Sequence, residues 1–242
     1  MRVDVLTLFP EMFQGPMSQS LIQKARDKGL LDLRAVDIRD FTSDKHKTAD
    51  DTPYGGGPGM VMKIDVVAAA IRSLKNDSVD RVIMFCPTGT KLTQSKVNEL
   101  AGLGHLVMIC GHYEGIDNRI SGLIDEEISI GDYVLTGGEL PAMVVIDSIA
   151  RQIPGVVKEI ASVEGDSFYS GLLDHPCYTK PEEFEGNKVP EVLLSGHHGQ
   201  IERWRRKEAL SKTLFRRPEL LADAKISADD RLLLTEIFEE IK

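Results

Sequence analysis

Short β-branched runs alternate with helical patterns through the first half of the chain, and this alternation limits the fold more than any other feature. Strand-like runs at residues 2–8, 31–38, 81–86 and 105–110 are interleaved with helical apolar spacing at 18–28, 64–74 and 94–103. That order predicts an α/β fold, a parallel sheet covered by helices. Ligands of such sheets bind where loops leave the carboxyl ends of the strands, which directs attention to residues 87–90 and 111–117. A further strand at 127–130 runs into the glycine-rich stretch 131–138. Residues 139–152 then hold Met143, Val144, Ile146, Ile149 and Ala150 at a density that predicts a buried helix, ended by Pro154-Gly155.

Beyond that helix the composition changes. Residues 162–171 are polar and glycine-bearing, with Glu164, Gly165, Asp166 and Ser167 in a row, and read as a linker between a first domain (1–161) and a smaller, mostly helical one (172–242). Residues 200–217 gather Arg203, Arg205, Arg206, Lys207, Lys212, Arg216 and Arg217 around Trp204, with only Glu202 and Glu208 as local acid. The segment 218–242 reverses sign and carries Leu232, Leu233, Leu234, Ile237 and Phe238, a packing helix. The 242 residues include 29 Lys and Arg against 38 Asp and Glu, a net charge of -9. The molecule as a whole repels a polyanion, so any nucleic-acid site must be a local basic patch such as 200–217. A solvated helix face is the plainer reading of the same run.

Cys86, Cys110 and Cys177 are far apart, and two lie in apolar runs typical of buried strands, which suggests neither a disulfide framework nor a zinc pair. His112 near Cys110 and the pair His197-His198 lack a second set of ligands and read as loop and surface histidines. Residues 1–10 lack the apolar core and cleavage site of a secretory signal. No apolar run approaches the roughly 20 residues that cross a bilayer. The expectation is a cytoplasmic protein without membrane contact.

Three glycine-rich loops stand out: Pro53-Tyr54-Gly55-Gly56-Gly57-Pro58-Gly59, Gly111-His112-Tyr113-Glu114-Gly115-Ile116-Asp117, and Gly131-Asp132-Tyr133-Val134-Leu135-Thr136-Gly137-Gly138. Any one could be a tight turn. Three together, two of them following strands of one sheet, favour a surface where backbone groups approach a flat ligand closely. None has the spacing of a phosphate cradle, and Gly102-Leu103-Gly104 follows a helix and precedes a strand, the reverse of the dinucleotide order.

These loops, extended to Asp51-Thr52-Pro53 through Met60-Val61-Met62 and to Ile130 through Glu139-Leu140-Pro141-Ala142-Met143, resemble the bacterial tRNA (guanine-37-N1)-methyltransferase family, of the SPOUT class. The likeness runs on through Asp147-Ser148-Ile149-Ala150-Arg151, Asp166-Ser167-Phe168, Gly171-Leu172-Leu173-Asp174-His175-Pro176, Tyr178-Thr179-Lys180-Pro181 and Val192-Leu193-Leu194-Ser195-Gly196. The resemblance implies a parallel sheet tied in a deep trefoil knot, an obligate homodimer, and S-adenosylmethionine held by the knot loops. No periodicity argument reaches a knot. By matching position the donor would contact Pro87, Thr88, Gly89, Gly111, Tyr113, Glu114, Ile130, Gly131, Asp132, Tyr133, Val134, Leu135, Gly137, Gly138 and Leu140.

For the chemistry, the resemblance assigns Asp166 as general base, Arg151 as its partner and Glu114 as a further acid near the donor. Guanine N1 is protonated at neutral pH, so a carboxylate that removes its proton would expose a lone pair, and a guanidinium would stabilise the charge that spreads to O6. Taken alone, Asp166 reads equally as a linker carboxylate capping a helix with Ser167, and Arg151 as a cation at a solvated helix end. The smaller domain would grip the anticodon branch of tRNA, and residues 44–51 would lie near the flipped base. The resemblance leaves room for magnesium as a cofactor, and no metal motif in the chain shows it. Two rivals remain: a knotted methyltransferase acting on another RNA position, and an RNA-binding protein without catalysis.

Overall fold

Strands β1 (Arg2–Thr7), β2 (Asp32–Asp37), β3 (Asp50–Asp51), β4 (Val61–Met62), β5 (Arg81–Lys91), β6 (His105–Ile109) and β7 (Glu126–Ser129) alternate with helices α1 (Ser20–Asp27), α2 (Ile64–Leu74), α3 (Gln94–Ala101) and α4 (Glu139–Ala150). The structure, a computed structural model, describes residues 1–74, 78–158 and 165–240. It divides into two compact units, Met1–Lys158 and Glu159–Lys242.

In the first unit five strands pair in parallel in the order β2-β1-β6-β5-β7. Parallel strands covered on both faces must be apolar at consecutive positions, and β6 is buried at all five. Successive side chains go to opposite faces. Val3, Val5, Ile83, Phe85, Leu106 and Met108 meet helices α1, α3 and α4 through Ile22, Ala25, Val97, Leu100, Val145, Ile146 and Ile149. Leu6, Val82, Met84, Val107 and Ile109 meet α2 through Val66, Val67, Ala70 and Ile71. The result is a three-layer α/β unit.

Near the amino ends of the strands, Asp4 is fully buried, accepts a hydrogen bond from Arg2 Nε (2.8 Å) and lies 2.7 Å from His105 Nε2. This polar cluster is remote from the carboxyl ends, where ligands are expected. The strand expected at 81–86 runs five residues further. Its register shifts between Phe85 and Thr90, both of which pair with Ile128, so Pro87-Thr88-Gly89 bulges out and the strand resumes along β7.

The second unit holds a small hairpin, β8 (Glu183–Phe184) and β9 (Asn187–Lys188), and helices α5 (Glu191–Leu194), α6 (His198–Arg216), α7 (Leu220–Asp223) and α8 (Ala228–Glu240). Leu172, Leu210, Leu233 and Ile237 form its core. Of the stretch expected as a linker, residues 162–164 fall outside the described residues. Within 165–171, the Phe168 amide donates to the Leu172 carbonyl (2.7 Å) and the Arg217 guanidinium lies over the Phe168 ring.

The basic helix α6 is less bare than its sequence suggests. Arg203 pairs with Glu236, Lys207 with Glu240 and Glu236, and Arg206 with Asp230, all on α8. Within α6 itself Arg205 pairs with Glu202 (2.7 Å), and the rest of the acid that offsets the patch comes from α8. To Glu202 and Glu208, the acids within the segment, the fold therefore adds Asp230, Glu236 and Glu240. Pairs such as Arg203–Glu236 lie at the surface, where solvent and salt screen them and they add little to stability.

Arg206–Asp230 differs, because Asp230 is buried. Asp230 accepts two hydrogen bonds from the guanidinium, at 2.7 and 2.9 Å, and exchanges hydrogen bonds with Ser227 in a capping box at the start of α8. The guanidinium, aided by the Ser227 contacts, holds the Asp230 carboxyl far below the usual carboxylate range. A depressed folded-state value means that this stabilisation is present above the unfolded value of about 3.9 and is lost as pH falls below it. Asp230→Asn should therefore melt below the parent near neutral pH, and the gap should shrink toward about pH 3. Melting curves followed by circular dichroism across that range check this, and a gap that widens on acidification would refute it.

Candidate active site

At the carboxyl ends of β5, β6 and β7 the chain encloses a cavity of about 450 Å³. Its walls are the bulge of β5, the loop after β6 and the loop between β7 and α4. Of the residues expected at the donor site, Pro87, Thr88, Gly111, Tyr113, Glu114, Ile130, Gly131, Tyr133, Val134, Leu135, Gly137 and Gly138 line it. Three do not. Gly89 is pressed against β7, its absent Cβ position 2.6 Å from the Glu127 carbonyl carbon. Asp132 turns outward to Lys91 (3.1 Å), and Leu140 is exposed on α4.

The loops close because their backbones meet. The Gly138 amide donates to the Gly111 carbonyl (2.8 Å), and a Cβ on Gly138 would lie 2.7 Å from Cys110 Cα and 3.1 Å from Gly111 N. Tyr113 adopts φ 58° without being glycine, a strained conformation of the kind that clusters at functional sites. Thr88 donates to Glu127 (3.2 Å) and lies 2.9 Å from the Cys86 thiol. Below the loops, burial pushes the Cys110 thiol well up, and the charge of Glu139 adds to it, so this cysteine is inert.

The first glycine loop is tied to the same place. Met62 bridges Ile116, its amide donating to the Gly115 carbonyl (2.9 Å), and the Glu114 amide donates to the Met60 carbonyl (3.0 Å). Gly59, at φ 84°, abuts the Glu114 side chain, with Oε1 2.5 Å from where a Cβ would stand. Loop 53–59 therefore borders the cavity through Glu114. The preceding tip is an ordered turn: Asp44 accepts from the amides of His46 and Thr48 and the Thr48 hydroxyl, which lowers its pKa.

The expected catalytic trio is not assembled by the first unit alone. Glu114 lines the cavity. Arg151 is the half-buried C-cap of α4, about 18 Å along a helix whose N-terminal cap, Gly138, lines the cavity. Asp166, half-buried, belongs to the second unit, where its carbonyl accepts from the Tyr169 amide (3.3 Å) and the neighbouring Ser167 hydroxyl accepts from the Asp174 amide (2.9 Å). His112, read from sequence as an ordinary loop histidine, lines the cavity between the Phe9 and Tyr113 rings. Its place inside the second glycine loop was the available signal.

Among the described residues no helix is long and apolar enough to cross a membrane, and no three His, Cys, Asp or Glu side chains group as a metal site.

A family model described as tRNA (Guanine-1)-methyltransferase TrmD matches residues 1–223. A protein of Desulforamulus reducens named tRNA (guanine-N(1)-)-methyltransferase is 56% identical over 241 residues, covering 98% of this chain and 95% of its own. Proteins of the same name from Brevibacillus brevis and Dictyoglomus turgidum are 53% and 51% identical, each over the whole of this chain and 100% and 98% of their own. The match takes in all three loops that wall or border the cavity, and on it the chain belongs to the tRNA (guanine-1)-methyltransferase family.

Proposed function

We propose that this chain is an enzyme that transfers a methyl group from S-adenosylmethionine to N1 of guanosine 37 in tRNA, beside the anticodon. The observation that carries this reading is convergence: loops far apart in sequence, each matching a family string, border one cavity at the carboxyl ends of a parallel sheet. Its volume lies in the range of small-molecule sites. Walls made of closely packed backbone, with no room for a Cβ at Gly138, suit a flat nucleoside read by N–H and C=O groups.

When bound, S-adenosylmethionine supplies an electrophilic methyl on a sulfonium. The protein's part is to make guanine a nucleophile and hold it. Asp166 takes the N1 proton, Arg151 stabilises the charge that develops on O6, and Glu114, locked against Gly59, fixes the acidic wall of the cavity. No side-chain nucleophile is needed.

The working form is a homodimer. The distance of Arg151 from the cavity of its own unit supports that reading, as do the exposed Leu140 and Val144, one turn apart on α4, and the exposed Val134 and Leu135 before them. The knotted crossing of the class, a cytoplasmic location, and anticodon-branch contacts made by the second unit complete the proposal. The catalytic unit would then run through about residue 161 and the RNA-gripping unit from about 172.

The test is methyl transfer from labelled donor to unmodified tRNA transcripts that differ only at position 37. Label is expected with guanosine and not with adenosine. Equal labelling of both would move the target to another position, and labelling of neither would leave an RNA-binding protein.

A further inference from the structure

Among the polar groups that line the cavity and take no part in the chemistry above, one is set apart by its surroundings. His112 has its Nδ1 buried and without a hydrogen-bond partner. That nitrogen points at Gly137: a Cβ there would lie 2.6 Å from Nδ1 and 3.1 Å from the Gly111 carbonyl oxygen, and in contact with Glu139 Oε2. Nδ1 therefore borders the same small space as two acceptors, a Glu139 carboxylate oxygen and the Gly111 carbonyl oxygen. Glu139 is itself buried at the start of α4, and its other oxygen accepts a hydrogen bond from the Thr7 hydroxyl (2.8 Å).

This environment decides where the proton of the neutral ring resides. With a bare Nδ1, a lone pair would face a carboxylate and a carbonyl. With Nδ1–H, a donor faces them. Nε2 is then the acceptor. It has no partner in the protein and is not among the buried atoms, in a ring that lines the cavity and is gripped by Phe9 (centroids 4.8 Å) and Tyr113 (4.9 Å). A carboxylate that fixes the tautomer of a histidine whose other nitrogen meets a ligand is a common second-layer arrangement.

We infer that His112 is a further binding residue of this site, accepting through Nε2 a hydrogen bond from an O–H or N–H of the bound methyl donor, with Glu139 as the positioning residue that sets its tautomer. The inference rests on the cavity being the donor site.

Two measurements on the full-length protein test it, with S-adenosylhomocysteine as the probe. Nitrogen-15 spectra of histidine-labelled protein should show Nδ1 of His112 protonated and Nε2 bare, with the Nε2 resonance moving when the probe is added. His112→Phe, which keeps the ring between Phe9 and Tyr113, should weaken the probe by about tenfold in calorimetry. Glu139→Gln presents an N–H to Nδ1 and should move the proton to Nε2, with a similar loss of affinity. A protonated Nε2 in the parent, a resonance the probe does not move, or a His112→Phe variant that binds within about twofold of the parent would overturn the inference. If His112→Phe does not fold, the parent spectra decide alone. Failure of the parent itself to bind the probe would instead overturn the donor-site reading.

Discussion

Asp166→Ala should lower methyl transfer to tRNA by about 10²- to 10⁴-fold, the range associated with loss of a positioned general base, while S-adenosylhomocysteine binds within about twofold of the parent. The two readouts separate because the cavity is walled by residues of the first unit, whereas Asp166 belongs to the second. The rate should fall in kcat rather than in KM for the donor, since a base acts as the proton leaves and not when the donor binds. Asp166→Asn, which keeps shape and loses basicity, should be as impaired as the alanine variant. Single-turnover transfer with both variants is the measurement, and a variant that transfers within about threefold of the parent would remove Asp166 from the role.

The second large effect lies at a position with no side chain at all. Gly138→Ala places a methyl group 2.7 Å from Cys110 Cα and 3.1 Å from Gly111 N, backbone that cannot swing aside. The two loops must separate, and the Gly138–Gly111 hydrogen bond stretches with them. Overpacking of this kind costs about 1–3 kcal/mol, which, paid in the geometry of the cavity, weakens S-adenosylhomocysteine by roughly 10- to 100-fold. Gly15→Ala is the control: nothing lies within 4 Å of its added methyl and its φ is -72°. Calorimetric titration of both variants settles the matter, and equal binding by the two would show that the contact between these loops does not shape the site.

How far the sequence led depends on the kind of residue asked. Helix α2 lies at residues 64–74, where its apolar spacing placed it, and β1, β2 and β6 differ from their expected bounds by a residue or two at an end. These segments are long and periodic, so local pattern decides them. The end of β5 was not legible. Pro87 and Gly89 signal a loop, and the strand resumes only because β7, some forty residues later, offers Ile128 and Ser129 as partners after a shift of register. Strand order was invisible for the same reason, since it depends on which segments meet rather than on what each prefers.

At the site, the glycine loops were legible as places of close approach, and three of the residues expected around the donor showed the limit. Gly89, Asp132 and Leu140 share strings with lining residues, yet one packs on a neighbouring strand and two face outward. The basic helix showed the converse. Arg203, Arg206 and Lys207 look unpaired in sequence, and their acidic partners stand about 24 to 33 positions away on α8.

The position of β6 in the sheet bears on how the protein is made. Strand β1 pairs with β2 and β6, and β5 pairs with β6 and β7, so β6 alone joins the two halves of the sheet. A nascent chain that has emerged only through residue 104 holds the β1–β2 ribbon, the two-residue β3–β4 pair and an apolar β5 with neither neighbour, pieces too small to be stable in water. The ribosome must therefore deliver nearly half the chain before the central strand can seat, and until then β5 is a surface for holding chaperones or for misassociation. Residues 111–117 follow β6 out of the exit tunnel immediately, so the strand that closes the sheet brings with it the loop that begins the cavity.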